Sequence, residues 1–417
     1  MEIGLFSNKY AYNLFVKIVS LTLSVISGAL FTRFLGASLK GDLAGLESIS
    51  FVASVVMNFG IYHLYPKYKR DAKETVKQKF IDIIFFLTFV YVLVMILFYI
   101  ILQDIMVFFY GLFAIVACLT AQITMIGMVE IPKQRSKASL LASILHAVLC
   151  IFFFFSSFER ILIIPLLVYV AQNVFFCLIV LKRLNVFPHI FNTDFKLMMK
   201  LIKLGFIPMI TALLLKLNYK VDVIMLNIFG VKSSAIGIYA VAISVATQLW
   251  IIPEAFKEVL YSNASSKSIE KPYISSMKIS TYSLLIIELI LLLFGPWILY
   301  FLYGEEFNNS YSMLVILMIG VPFMGIFNIV NPYYLSLGKF SIHLKNLAIG
   351  VICNIIVNII VITKYQAFGA AIATSFSQIA CGLYACYQFC KSSGTSYKEL
   401  FVLNRDDLRM IKAKLKL

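Results

Sequence analysis

The sequence predicts an all-α, polytopic membrane protein of 12 transmembrane helices in two halves of six. Three observations predict it. Apolar residues make up 61% of the 417-residue chain and charged residues only 13%, against about half and a quarter in a soluble domain. Mean hydropathy is +0.92, so the chain has too little polar surface to face water and its solvent is lipid. The apolar residues also fall into runs of about 20, the length a helix needs to cross the hydrocarbon core. The same figures exclude disordered and collagen-like chains.

Twelve such runs lie at 11–34, 43–65, 80–102, 105–129, 138–158, 161–181, 200–228, 235–256, 279–302, 311–336, 342–363 and 366–390. The first, from Ala11 to Leu35, is too long for a signal-peptide core and has no small-residue cleavage site after it, so it is expected to stay as a span. The linkers inside 80–129 and 342–390 are only a few residues long. The cytoplasmic segment Lys182–Lys200 divides six spans from six. The expected organisation is therefore an N-terminal lobe over 1–190, a C-terminal lobe over 191–390 and a basic tail over 391–417. Leu408, Ile411 and Leu415 in that tail have the spacing of a short amphipathic helix on the membrane surface.

Net charge is +16, which in a soluble protein would suggest nucleic-acid binding. Placement excludes that reading. With the N-terminus inside, one side of the membrane collects 27 of the 36 Lys and Arg residues, and the other collects Arg33, Lys40, Arg160, Lys232 and Lys364. This is the positive-inside pattern, with basic loops lying on an anionic leaflet. Both termini are expected in the cytoplasm. The seven cysteines form no CxxC pair and read as packing residues. His63, His146 and His343 read as isolated, and no metal site is expected.

Four lysines lie in or at the ends of spans: Lys17, Lys203, Lys216 and Lys220. A charge at the bilayer centre costs roughly 2.5–3.5 kcal/mol on insertion scales, so Lys17, Lys216 and Lys220 should face a cavity or a partner. Asn13, Lys17, Ser20, Ser24 and Ser27 share one face of span 1. Glu47, Ser50, Ser54 and Asn58 do so in span 2, and Asn346, Gly350, Asn354 and Asn358 in span 11. Helix–helix adhesion would explain one such stripe; several favour a hydrated vestibule. Lys216 and Lys220, at i and i+4, can both reach one phosphate group, and Arg33 can add a bidentate clamp. The competing reading is snorkelling for the lysine pair and interfacial anchoring for Arg33. Asp222 and Glu47 are the candidates for binding a coupling ion, because a carboxylate in low dielectric can take up a proton. Asp82, Glu254 and Glu288 also fall in apolar runs. Pro165, Pro208, Pro253, Pro296, Pro322 and Pro332 lie within spans or at their ends and are compatible with helices that bend.

Several short segments, in order along nearly the whole chain, carry a family likeness. Arg33-Phe34-Leu35-Gly36 with Gly41 resembles the signature after the first helix of polysaccharide flippases. Asp222-Val-Ile-Met-Leu through Gly237-Ile-Tyr-Ala resembles their seventh-to-eighth helix hairpin, and Tyr303-Gly304-x-x-Phe307 the outer loop before helix ten. Leu337-Gly338-Lys339 is similar to the inner turn after helix ten, and Asn354, Asn358 and Phe368-Gly369-Ala370-Ala371 to the last two helices. The chain thus resembles the O-antigen and capsule (Wzx-type) branch of the multidrug/oligosaccharidyl-lipid/polysaccharide exporter superfamily. The resemblance implies a V-shaped cavity between two lobes and a flippase of the bacterial inner membrane. It would move undecaprenyl-pyrophosphate-linked oligosaccharide units to the outer leaflet by alternating access, for assembly of lipopolysaccharide, capsule or another surface polysaccharide. It implies no cofactor, a proton or sodium gradient as driving force, and polysaccharide polymerase and chain-length proteins as partners. The residues expected at substrate are Arg33, Lys17, Lys216, Lys220, Asn13, Asn354 and Asn358. Two alternatives stay open. A multidrug exporter of the same superfamily would need acidic walls for cationic cargo, and a polysaccharide polymerase or other membrane enzyme usually needs a larger external loop or a soluble domain.

Overall fold

The computed structural model describes residues 8–71, 75–156, 158–262, 270–337 and 339–402. Among these, all regular structure is helical. The helices are α1 (Asn8–Met57), α2 (Ile61–Asp71), α3 (Thr75–Leu102), α4 (Ile105–Glu130), α5 (Pro132–Phe155), α6 (Ile163–Leu184) and α7 (Phe195–Ile228). They continue as α8 (Ser233–Gln248), α9 (Ile251–Ser262), α10 (Glu270–Tyr303), α11 (Ser310–Ser336), α12 (Phe340–Ser393) and α13 (Tyr397–Phe401).

Ten helical stretches among the described residues are long and apolar enough to cross a membrane. Two of them are too long to be single passes. At 1.5 Å per residue, straight helices of the length of α1 and α12 would reach about 75 and 80 Å, far beyond a hydrocarbon core of about 30 Å. Each breaks at one residue. α1 turns at Gly36 (φ 75°, ψ 172°) and α12 at Gln366 (φ 48°, ψ −124°). Counting each arm gives the twelve passes expected, and the chain is a multi-pass, all-α membrane protein. The turns are tighter than expected: residues 35–42 and 364–365, read as linkers, are helical right up to the break. Gly36 has no Cβ to oppose a positive φ, so a single residue suffices there. The span expected at 235–256 is interrupted by a turn at Leu249–Trp250 before α9. Pro253 explains this, because it lacks the N–H that would bond the Leu249 carbonyl and its ring crowds that carbonyl. In the tail, α12 runs on to Ser393 and α13 is one short capped turn; Leu408, Ile411 and Leu415 lie outside the described residues.

The chain divides into two compact units, Met1–Lys220 and Val221–Leu417. The division falls inside α7. In the first unit α1 packs on α4 and α5, and Phe113 of α4 stacks on Tyr169 of α6 at 4.0 Å between ring centroids. α7 meets the turn between α1 and α2 backbone to backbone. A Cβ on Gly205 would collide with the Phe59 carbonyl, and one on Gly60 with the Gly205 carbonyl; Gly60 also holds φ +67°. Small residues permit such close approach in lipid, where burying apolar surface gives no gain and van der Waals contact does the work. The segment after α6 is pinned to α3. Asp82 accepts from the His189 backbone N–H and from Gln78 Nε2, each at 2.8 Å, and Lys79 pairs with Asp194 at 2.9 Å.

In the second unit α11 is the central helix. It packs on α8, α9, α10 and α12, and 72% of its most apolar window is buried, against 22% for α10. α3, α7 and α10 present Leu97, Phe98, Ile100, Ile207, Leu293 and Phe301 outward, the faces expected to meet acyl chains.

Candidate ion and head-group sites

The second unit holds one buried polar cluster that joins α7, α8 and both arms of α12. Asp222 sits on the last turns of α7, is 3% exposed and accepts a hydrogen bond from the Tyr239 hydroxyl of α8. Its Oδ2 also accepts from Thr374 Oγ1 at 3.2 Å, and its Oδ1 from the Val223 N–H at 2.9 Å. Tyr239 Oη and Thr374 Oγ1 lie 3.1 Å apart. Asn354 Nδ2 reaches Thr374 Oγ1 at 3.5 Å and Ser377 Oγ at 3.3 Å, and Asn358 Nδ2 donates to Asn354 Oδ1 at 2.6 Å. Asn354 and Asn358 are 1% and 0% exposed. The bend of α12 at Gln366 is what makes this possible, since it folds Thr374 and Ser377 back beside Asn354.

The donor set is a carboxylate, two hydroxyls from Tyr239 and Thr374, and two amide oxygens. Hard oxygen ligands of this kind suit a hard cation. The Oδ1 of Asn358 is buried and accepts no hydrogen bond, which leaves an oxygen lone pair available to a cation at the edge of the cluster. The arrangement fits a monovalent cation or a proton on Asp222. No group of three or more His, Cys, Asp or Glu side chains able to hold a metal occurs among the described residues.

The lysine pair lies in the first unit. The Nζ of Lys216 stands 5.2 Å, and that of Lys220 5.8 Å, from the centroid of the Phe51 ring on the second arm of α1. Both ammonium groups therefore converge on one aromatic face. Each such contact contributes about 0.5–2 kcal/mol, depending on desolvation. Neither lysine has an ion-pair partner among the described residues. α7 carries the cationic pair in the first unit and the carboxylate in the second.

The remaining predicted residues are dispersed. Arg33 is exposed, one turn before the break at Gly36. Glu47 is partly buried and lines a cavity of about 180 Å³ in the first unit. The side chains of Asn13 and Lys17 lie outside the described residues. On the same face of α1, Ser24 Oγ bonds the Ser20 carbonyl at 2.8 Å and Ser27 Oγ the Leu23 carbonyl at 2.7 Å, the usual satisfaction of a serine within a membrane helix. Asn354 and Asn358, expected at substrate, are joined through Thr374 to Asp222. Tyr239 and Thr374 were missed as site residues. Tyr239 carried a signal, since it falls in the Gly237-Ile-Tyr-Ala segment; Thr374 carried none, because its register depends on the turn at Gln366. Asp82 serves the linker after α6, and Glu254 is exposed.

No protein-family model matches the chain, and no curated protein matches it by sequence. Solved structures do match it. The chain is similar to an inward closed lipid II flippase MurJ, with 17% identity, 94% of this chain and 89% of that one covered, and a TM-score of 0.75. An inward-facing multidrug resistance MATE transporter of the MOP superfamily gives 13% identity, coverage of 91% and 99%, and a TM-score of 0.66. A MOP superfamily transporter from Pyrococcus furiosus, whose binding pocket is described as reversed in polarity, gives 13% identity, coverage of 91% and 94%, and a TM-score of 0.57. At such identities the likeness is one of fold. The chain shares its all-α polytopic fold with a lipid II flippase and with multidrug resistance transporters.

Proposed function

We propose that the chain is an ion-coupled flippase for undecaprenyl-pyrophosphate-linked oligosaccharide units in the bacterial inner membrane, with both termini in the cytoplasm. The observation that carries this reading is the Lys216–Lys220 pair, held half-buried against Phe51 within a membrane-spanning helix. Two ammonium groups four residues apart match the charge of a pyrophosphate head and the spacing of its oxygens. The likeness to the lipid II flippase fold supports a lipid-linked cargo. The Asp222 cluster supports coupling to sodium or protons, and its place on α7, two residues from Lys220, lets occupancy by the ion bear on the helix that holds the head group.

A second reading is a multidrug exporter, favoured by the several multidrug transporters that share the fold. One experiment separates them. In a strain lacking this chain, the flippase reading expects lipid-linked repeat units to accumulate at the inner leaflet. Unchanged surface polysaccharide together with new drug sensitivity would establish the exporter instead.

A further inference from the structure

The cavity of about 180 Å³ in the first unit is lined by Gly28, Thr32, Lys40 and Glu47 of α1, His146 of α5 and Tyr169 of α6, among apolar neighbours. It has space for several water molecules, and its polar lining gives them partners. Gly28 has nothing within 4 Å of where a Cβ would stand, so the space is open at the α1 wall.

The hydrogen bonds favour one tautomer of His146. Its Nδ1 lies 3.2 Å from Ser27 Oγ. That hydroxyl already donates its only hydrogen to the Leu23 carbonyl, at 2.7 Å, and a carbonyl can only accept. Ser27 therefore accepts, and His146 Nδ1 carries the hydrogen. Nε2 then keeps its lone pair; the Cys150 sulfur stands 3.6 Å from it and 3.7 Å from Nδ1. Glu47 lines the same cavity as His146 and Tyr169. A histidine read from the sequence as isolated thus lines one cavity with a carboxylate.

We propose that Glu47 and His146 form a proton-binding pair inside the first unit, distinct from the Asp222 cluster, with cavity water as the immediate proton donor. A hydronium ion delivers its proton to the Nε2 lone pair or to the Glu47 carboxylate and is left as water. The pair passes from a net charge of −1 to 0. The Nδ1–H bond to Ser27 survives in either state, so proton uptake by the ring falls on Nε2. The other titratable groups around it are fixed in kind. Lys40 lies two turns before Glu47 on α1, Tyr169 faces it from α6, and Cys150 lies along α5. From α4, Tyr110 is under the charges of Asp42 and Asp104. Lys216 and Lys220 of α7 stand over Phe51, one turn beyond Glu47. The site does not depend on what cargo the chain carries.

The test is a pH titration of the purified full chain, followed by histidine nitrogen NMR and by the infrared band of protonated carboxyls. The expected neutral tautomer of His146 is Nδ1–H, and Ser27→Ala shifts it toward Nε2–H. A titrating carboxyl band disappears in Glu47→Gln, and its midpoint moves by about one pH unit or more in His146→Gln; the His146 midpoint moves likewise in Glu47→Gln. Midpoints that ignore the partner's removal, or that move in Asp222→Asn instead, overturn the proposal. So does an Nε2–H tautomer in the wild-type chain, a measurement that needs no variant to fold. Surface glycan in a deletion strain has no bearing on this result, so the two readings fail separately.

Discussion

The polar set around Asp222 in the second unit is closed on itself, whereas the polar set around Glu47 in the first borders open space. Asp222, Tyr239, Thr374, Asn354 and Asn358 form a continuous chain of hydrogen bonds with almost no exposure. Glu47, His146 and Lys40 instead surround a cavity, and Lys216 and Lys220 rest on an aromatic face. The difference is one of chemistry. A dry cluster of short oxygen-bearing side chains can select a small ion, because its geometry is set by mutual bonds. Charges around a hydrated space can titrate, or receive a large anionic group, because nothing has yet neutralised them.

The sharpest way to break this contrast is to remove the cations. Lys216→Ala combined with Lys220→Ala is expected to abolish surface glycan while leaving the protein in the membrane, checked by glycan staining beside quantification of the membrane fraction. Normal glycan would detach the lysines from the mechanism. Next comes the ion site. Asp222→Asn keeps the shape and loses the charge, so cation dependence of transport in proteoliposomes should fall by on the order of tenfold or more. That is the scale of losing charged hydrogen bonds worth about 1.5–3 kcal/mol each. Retained sodium or proton dependence would place the coupling site elsewhere.

Packing effects are smaller. Gly60→Ala puts a Cβ into the Gly205 carbonyl at a positive φ. Strain of about 1–2 kcal/mol and overpacking of about 1–3 kcal/mol should add, and thermal unfolding should shift down accordingly. Gly28→Ala, facing open space, should gain up to about 1 kcal/mol from helix propensity, and a loss comparable to Gly60→Ala would show that the cavity is not there. The smallest effect belongs to the segment after α6. The Leu197 backbone N–H, and then Lys79, hold the Asp194 carboxyl below its ordinary range. A lowered folded value stabilises above the unfolded carboxylate pKa, and that contribution is lost as pH falls through the lowered value. Lys79→Ala should cost at most about 1 kcal/mol, because the pair is largely exposed, and the cost should vanish in acid.

How much of this could be read in advance differs by element. The long apolar runs locate every pass, since length and hydropathy are local properties. They do not locate the ends, because helix continues through 35–42 until Gly36 and through 364–365 until Gln366. Asp222, Asn354 and Asn358 stood out as polar residues in apolar surroundings, and so did the i, i+4 lysines. Tyr239 and Thr374 did not, because a tyrosine and a threonine in a membrane helix are unremarkable until a neighbour needs their hydroxyls. Ser27 and His146, 119 positions apart, are related only by the packing of α1 on α5.

The sequence by itself determined the solvent, the number of crossings and which residues are too polar to face lipid, because each follows from transfer free energies summed over neighbouring residues. Only the tertiary structure decided which of those residues meet. Partners are set by the register between helices and by single-residue bends such as Gln366, and no local sum contains that information.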